Sequence, residues 1–304
     1  MYKINHIKNS KNNEDYLLIE DSLKTSRAKI YLIQGASLQE LTLNSHELIK
    51  DLHPLTYDKT YASSILFPFA NRVKDGTYQF NGETYHLEIN QMEENNALHG
   101  LVYNKSFEVI KQNATDSKAS VTLLYNETNI SKGFPFTYSI QLEYVLTQNT
   151  LALNVEIKNT DSKIFPFTLG WHPYFVSENL YHSSLSFDCN RKIILDKNNI
   201  TTGISTMEQL DDFQIKGQSL DDCFILNSKA IQFKTPKYNF ELHATGDDNF
   251  LQLYTPPHPN TLAIEPTTGV SDSLNNKIEA LLNQDKKLNR QSKIKSASTG
   301  ILYL

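Results

Sequence analysis

The sequence predicts an all-β protein, a large antiparallel β-sandwich with few short helices. Apolar and polar residues alternate over long stretches, which is typical of strands with one buried face. Turn residues separate these stretches at short intervals, and segments with helical spacing are rare. The chain has 304 residues, 39% of them hydrophobic, and no linker rich in glycine, serine or proline divides it. We therefore expect a single domain over residues 1–304.

The clearest strands are predicted in the middle of the chain. Every second residue of Phe136 to Thr147, starting from the phenylalanine, is apolar, and mostly polar residues lie between. Gln148-Asn149 then carries turn signals, and the alternation resumes from Leu151 to Ile157. This pattern predicts two long strands that pair as a hairpin.

Shorter stretches with the same alternation predict strands along the rest of the chain. They run from Ala28 to Ile33, Ser37 to Leu43, Thr77 to Phe80, Ser106 to Ile110, Ser120 to Tyr125, Ile231 to Phe233, Phe250 to Tyr254, Thr261 to Ile264 and Gly300 to Leu304. The clearest helix signal is Leu274 to Leu282, where apolar residues recur at helical spacing after a capping residue, Asp272 or Ser273. We expect this helix to cover a sheet edge.

Charge and composition exclude several classes of partner. Lys and Arg number 29 and Asp and Glu 34, which leaves a formal charge of −5. Nucleic acid is not an expected partner, because binding a phosphate backbone requires a broad basic surface. The N-terminal residues show no apolar stretch of signal-peptide length, and no later segment is long enough to span a bilayer. We therefore expect a cytoplasmic protein with no membrane partner, and its two cysteines fit a reducing compartment.

Four segments place polar residues in otherwise apolar, strand-like surroundings. They are Phe67 to Arg72, Asn96 to Gly100, Gly170 to Phe175 and Ala263 to Thr268. An unpaired polar group in such surroundings costs roughly 1–3 kcal/mol. Each of these polar residues therefore needs a partner or a function, and the four segments are the candidates for a functional site.

Glu265 follows an apolar run and precedes Pro266. Because proline cannot donate a hydrogen bond to a sheet, the pattern predicts that the strand ends here, with Glu265 at its end. A carboxylate that is half-buried can have its pKa raised towards neutrality and serve as a general base. The alternative is a structural glutamate that pairs with an arginine or caps a turn.

His172 lies between Trp171 and the run Pro173 to Phe175. Aromatic side chains beside a polar group suit a sugar ring, whose C–H faces stack on them while its hydroxyls need donors and acceptors. A core histidine satisfied by a backbone carbonyl is the alternative for His172, and equally for His99.

Motifs for other chemistry do not occur in the sequence. The two histidines His99 and His172 are far apart and show no tight ligand spacing, so no metal site is predicted. There is no G-x-G-x-x-G, no P-loop and no G-x-S-x-G, so nucleotide binding and serine hydrolysis have no support. Acid/base chemistry on a small molecule remains.

Together the four segments resemble the aldose 1-epimerase (galactose mutarotase) family. The resemblance begins at Asn71-Arg72-Val-Lys-Asp-Gly76 and the stretch that follows to Leu87, continues in Asn96-Ala-Leu-His99-Gly100 and Gly170-Trp-His172-Pro-Tyr-Phe175, and closes at Ile264-Glu265-Pro266-Thr267. Four segments in the family's order make this signal fairly specific. The resemblance implies a single large antiparallel β-sandwich, in agreement with the periodicity.

The resemblance implies a catalytic pair that acts on a sugar. Glu265 corresponds to the general base that takes the proton of the anomeric hydroxyl, and His172 to the general acid that protonates the ring oxygen. The ring opens and recloses on its other face, so the α and β anomers interconvert. This chemistry requires an ionised Glu265 and a His172 able to donate near the working pH. No cofactor and no metal are expected.

Other matching positions imply substrate binding. Arg72 and His99 correspond to such positions, and Asn71 stands beside Arg72 in the motif. In an Asp-x-x-Phe-like segment Asp221 matches the residue that binds sugar hydroxyls, with Asp222 as the alternative.

Three other functions stay open at this stage. A carbohydrate-binding protein without turnover would use the same fold, although it would not need both Glu265 and His172. A mutarotase for a phosphorylated or otherwise anionic sugar would need a further Arg or Lys in the site. A glycoside hydrolase would need Asp221 and Glu265 about 5–9.5 Å apart across a cleft.

Overall fold

The structure, a computed structural model, describes residues 1–12, 14–210, 212–245, 250–275 and 297–303, and consists mainly of strands. The strands are β1 (Tyr2–Asn9), β2 (Glu14–Asp21), β3 (Arg27–Tyr31), β4 (Ser37–Leu43), β5 (His46–Ile49), β6 (Ile65–Leu66), β7 (Arg72–Lys74), β8 (Thr77–Phe80), β9 (Glu83–His86), β10 (Asn96–Leu98), β11 (Glu108–Ala114), β12 (Lys118–Glu127), β13 (Tyr138–Thr147), β14 (Thr150–Asn159), β15 (Gly170–Trp171), β16 (Tyr174–Val176), β17 (Ser184–Leu195), β18 (Thr201–Thr206), β19 (Phe213–Gln214), β20 (Asp221–Lys234), β21 (Asn239–Ala244), β22 (Phe250–Tyr254), β23 (Thr261–Thr267) and β24 (Ala297–Tyr303). The helices are α1 (Tyr57–Thr60) and a single 3-10 turn, Leu180–His182.

Two antiparallel sheets form the body of the molecule. Strands β1 to β5 make the smaller sheet in chain order. The larger sheet has fifteen strands, and its main path runs β11-β12-β13-β14-β24-β21-β20-β22-β23-β15-β6, with β16 beside β23 and β17 beside β20. Two short ribbons, β7 with β10 and β8 with β9, accompany them. The predicted all-β sandwich with few short helices is confirmed.

The core between the two sheets follows from the alternation in the sequence. Every second residue of β13 is buried, and Leu142 lies opposite Leu123 and Val155 on the neighbouring strands. The same apolar cluster contains Leu17 and Ile30 of the smaller sheet. Fully burying one such aliphatic side chain contributes about 1.5–3 kcal/mol to stability.

The predicted strands recur in the structure with small changes at their ends. The predicted hairpin is β13 and β14, with Leu142 facing Val155. The strand predicted from Ser106 begins at Glu108, and the last predicted strand is β24, which pairs with β14 and β21. Most of the predicted helix lies outside the described residues, and its first two residues, 274 and 275, lie in a turn. None of the helices among the described residues has the length and apolar character needed to cross a membrane.

One sequence expectation about β23 is wrong. The strand does not end at Glu265 but continues through Pro266 to Thr267. The N–H groups of Ile264 and Thr268 point to the chain that carries β15 and β16, where they donate to Pro173 and Leu169. Pro266 lies midway between these two residues, so its backbone nitrogen faces the same side of β23. That side is the gap between β15 and β16, where the missing N–H has no strand to pair with.

Candidate active site

Glu265 and His172, which we call the reaction pair because an acid/base role is predicted for them from the sequence, lie side by side in the interior. All residues of β23 are buried, and Glu265 is near its centre. His172 lies in the bend between β15 and β16, and both of these strands pair with β23. The bend is fixed to the loop that precedes β6. The His172 N–H donates to the Ser64 carbonyl, and the His172 carbonyl accepts from the Ser63 N–H. The distance from His172 Nε2 to Glu265 Oε1 is 3.4 Å.

Burial shifts the pKa of both members of the reaction pair towards their uncharged forms. Burial and the charge of Asp221 raise the pKa of Glu265 well above its usual value, against the opposing effect of Arg72. Burial lowers the pKa of His172 to about 3. The favoured arrangement is therefore glutamic acid beside neutral imidazole, and not the ionised Glu265 expected from the sequence. Carboxylate and imidazolium contain the same number of protons, so moving one proton within the pair interconverts the two arrangements.

Aromatic rings surround the imidazole of His172. Tyr174 stacks on it with the ring centres 4.8 Å apart, and the His99 ring meets it edge-on at 4.9 Å. Burial and the charges of His172 and Arg72 lower the pKa of His99. Of the aromatic surface expected beside His172, Tyr174 contacts its ring, whereas Trp171 and Phe175 pack in the core.

Two residues with left-handed backbone bring a second group of side chains to the site. Asn71 has φ +59° and His99 has φ +61°, and the His99 N–H donates to the Asn71 carbonyl at 2.9 Å. Gly100 follows with φ +75°, and a Cβ there would lie 2.3 Å from the Phe67 carbonyl oxygen. Such backbone conformations cost about 1–3 kcal/mol for residues other than glycine and are concentrated at functional sites.

Arg72 is held by a loop that includes Gln91 and Glu94. Its Nε donates to Gln91 Oε1 at 3.2 Å and to Glu94 Oε2 at 3.1 Å. Its Nη1 donates to Asn71 Oδ1 at 2.8 Å. We call these four residues the recognition corner, and they are more exposed than the reaction pair, with 12% of the Arg72 side chain and 28% of the Glu94 side chain accessible.

Asp221 lies between these two parts of the site. Its Oδ1 accepts from Gln252 Nε2 at 2.7 Å, and its Oδ2 accepts from Asn199 at 3.1 Å. Burial raises its pKa, and Arg72 opposes that shift. Asp222, the alternative from sequence, pairs with Lys192 instead.

Gln252 connects the parts of the site and was not singled out from the sequence. Its Oε1 accepts from Asn71 at 3.5 Å, and its Cα pairs across the strands with Glu265 on β23 and with Cys223 on β20. Cys223 is buried, and burial with the negative charge of Glu265 raises its pKa. The signal for Gln252 was present, since it is the polar residue inside the apolar run of β22. No comparable pattern in the sequence marks Tyr61, whose ring lies 4.9 Å from that of His99, or Glu94.

A family model described as Aldose 1-epimerase matches residues 16–296. The chain belongs to the aldose 1-epimerase family. This confirms the resemblance that the four sequence segments indicated, and it places the protein among isomerases that act on sugars.

Known proteins similar to this aldose 1-epimerase family member include enzymes and uncharacterised chains. An uncharacterised protein of Escherichia coli K12, YihR, is 26% identical over 84% of this chain and 85% of its own. A maltose epimerase of Levilactobacillus brevis is 28% identical over 57% of this chain and 54% of its own. The crystal structure of galactose 1-epimerase from Lactobacillus acidophilus superimposes with a TM-score of 0.77 at 17% identity, covering 100% of this chain and 98% of that one. This last similarity demonstrates a shared fold.

Proposed function

We propose that the protein interconverts the α and β anomers of a free hexose by acid/base-catalysed ring opening. The observation that carries the proposal is the buried contact of 3.4 Å between His172 Nε2 and Glu265 Oε1. The anomeric hydroxyl and the ring oxygen are bonded to the same carbon, so a base for one and an acid for the other must lie close together. The reaction pair meets this requirement.

The reaction moves two protons and breaks one C–O bond. The Glu265 carboxylate takes the proton of the anomeric hydroxyl while His172 donates a proton to the ring oxygen. The electron pair of the O–H bond forms the carbonyl at C1, and the bond from C1 to the ring oxygen breaks. Rotation about C1–C2 exposes the other face of the aldehyde, and the reverse proton transfers close the ring as the other anomer.

The bound sugar supplies the charge distribution that this step needs. An anomeric hydroxyl that donates to Glu265 stabilises the carboxylate, and a ring oxygen that accepts from His172 stabilises the imidazolium. The proton of the pair therefore moves from Glu265 to His172 as the sugar binds. Asn71, Arg72, His99 and Asp221 bind the other hydroxyls in this proposal. No cofactor takes part in it.

The test compares the rates at which freshly dissolved α-glucose and α-galactose reach anomeric equilibrium, followed by polarimetry or NMR. Glu265→Gln and His172→Asn should each lower kcat by about 10²–10⁴-fold, the typical contribution of a positioned base or acid. Glu83→Gln and His182→Asn are matched controls on exposed residues and should retain the wild-type rate. Circular dichroism of each variant checks that the fold is intact.

Three results would overturn the proposal in different directions. Full activity in Glu265→Gln would remove the proposed base. Sugar binding without any acceleration by the wild type would make the protein a carbohydrate-binding protein. Acceleration confined to sugar phosphates would make it a mutarotase for anionic substrates.

A further inference from the structure

The Arg72 guanidinium is already engaged before any substrate is considered. Two acceptors, Gln91 Oε1 and Glu94 Oε2, converge on its single Nε–H. Asn71 Oδ1 takes one hydrogen of Nη1. Nη2 has no hydrogen-bond partner in the described part of the chain. The side of the guanidinium that carries Nη1 and Nη2, here called the Nη edge, is therefore the part of Arg72 that remains for a ligand.

The loop that carries Glu94 is built to hold this position. Gln91 and Asn96 exchange both backbone hydrogen bonds at 3.1 Å, which closes the loop. Asn95 has φ +58° and its side chain donates to Asp75 at 2.8 Å. The loop therefore presents Gln91 and Glu94 to Arg72 from one side, and a salt bridge that is only 28% exposed on the carboxylate side is screened less than a surface pair.

The charges around the site are unfavourable for an anionic sugar. Glu94 forms a salt bridge with Arg72, and the charge of Arg72 also acts on the carboxyl groups of Asp221 and Glu265. Lys192 is paired with Asp222, the residue after Asp221. The charge of Glu94 acts beyond Arg72, because it is among the causes that raise the pKa of Asp221. A carboxylate or phosphate on the substrate would meet an arginine whose charge is already balanced.

We propose that Glu94 is a specificity-determining residue, which aims the Nη edge of Arg72 at the sugar and balances its charge so that the site discriminates against anionic sugars. This inference rests on the proposed function, because it assigns a role within the same site. Glu94 acts through Arg72 and is therefore a positioning residue. Its effect belongs to the choice of substrate and leaves the proton transfers to the reaction pair.

The test measures dissociation constants of D-glucose and D-glucuronate by titration calorimetry, so that it reads out binding even without turnover. Glu94→Gln keeps an acceptor for Arg72 Nε and removes the charge. It should improve the affinity for glucuronate relative to glucose by about tenfold. Repulsion between the Glu94 carboxylate and the glucuronate carboxylate, in a partly buried site, costs roughly that factor. Glu93→Gln, the neighbouring and exposed glutamate, makes the same change in net charge and should leave the ratio unchanged. The shift should shrink at 1 M salt.

A second variant separates the effect of Glu94 on the orientation of Arg72 from the effect of its charge. Glu94→Ala removes the acceptor as well, so it should show the same change in selectivity and in addition a weaker affinity for glucose. An unchanged ratio in Glu94→Gln, or an equal change in Glu93→Gln, would overturn the inference while leaving the proposed function intact. Sugar binding with the predicted ratios but without anomer interconversion would overturn the proposed function alone. Failure of the wild type and both Glu94 variants to bind either sugar would overturn both.

Discussion

The reaction pair and the recognition corner are built in opposite ways. Glu265 and His172 lie on strands or in a bend between strands, are almost fully buried, and owe their shifted pKa values mainly to burial. Arg72 and Glu94 lie at the start of a short strand and on a loop, and both are partly exposed. Proton transfer needs two groups at a fixed distance in dry surroundings, whereas recognition of hydroxyls needs directed donors that water can also reach. The contrast predicts that the two regions respond differently to pH, to backbone changes and to side-chain substitution.

Within this comparison the largest expected effect is that of pH on kcat/KM, which reports the ionisation of the free enzyme. The active free enzyme holds one proton on the reaction pair, so kcat/KM should fall as pH rises through the raised pKa of Glu265, by about tenfold for each unit beyond it, or about 100-fold over two units. On the acid side kcat/KM should hold until the pH approaches about 3, where His172 also becomes protonated.

The measurement is kcat/KM from pH 4 to pH 10 by polarimetry, with the uncatalysed rate subtracted at each pH. A decline of kcat/KM centred on pH 4.5, the ordinary value for an exposed glutamate, would contradict the buried environment of Glu265 and remove the contrast between the two regions.

A smaller effect is expected from the backbone that supports the recognition corner. Gly100→Ala would place a Cβ 2.3 Å from the Phe67 carbonyl oxygen and should lower the free energy of unfolding by about 3 kcal/mol or more. Gly82 also has a positive φ, +83°, but a Cβ there would have nothing within 4 Å. Gly82→Ala should therefore cost only about 1–2 kcal/mol. Urea unfolding of the two variants measures the difference, and equal losses would show that the close approach at Gly100 does not matter.

The smallest effect is expected at Arg72. In Arg72→Lys the positive charge stays but the fork of directed donors is lost, so contacts to Gln91, Glu94 and Asn71 cannot all be kept. We expect KM to rise by about tenfold while kcat changes by less than about threefold. Steady-state kinetics on the preferred sugar gives both values. A fall in kcat at constant KM would assign Arg72 to the proton-transfer step and would contradict the division between the reaction pair and the recognition corner.

The sequence predicted the strands and the family because both depend on local patterns. The alternation in β13 fixes which face is buried, and the family segments carry Asn71, Arg72, His99, His172 and Glu265 in order. The continuation of β23 through Pro266 was not predictable in this way. It depends on the gap between β15 and β16, which arises only when distant segments pair.

The protonation states of the site residues could also not be predicted from the sequence. Whether Glu265 is ionised depends on how many residues bury it and on the charges of Asp221 and Arg72, none of which are its neighbours in the chain. Glu94 shows the same limit, because an exposed-looking glutamate in a polar loop gains meaning only when the fold places it on Arg72. Contacts between segments far apart in sequence therefore account for what the sequence did not predict.

Cys223 gives this site an internal reporter of its own motion. The thiol is buried on the strand next to Gln252, and its raised pKa leaves little of the reactive thiolate. An alkylating reagent can attack it only when the side chains that cover it, among them Phe250 and Val270, move away, so the rate of labelling under native conditions reports those openings. Because a bound sugar would stabilise the closed site, slower alkylation of Cys223 would report occupancy without any measurement of catalysis.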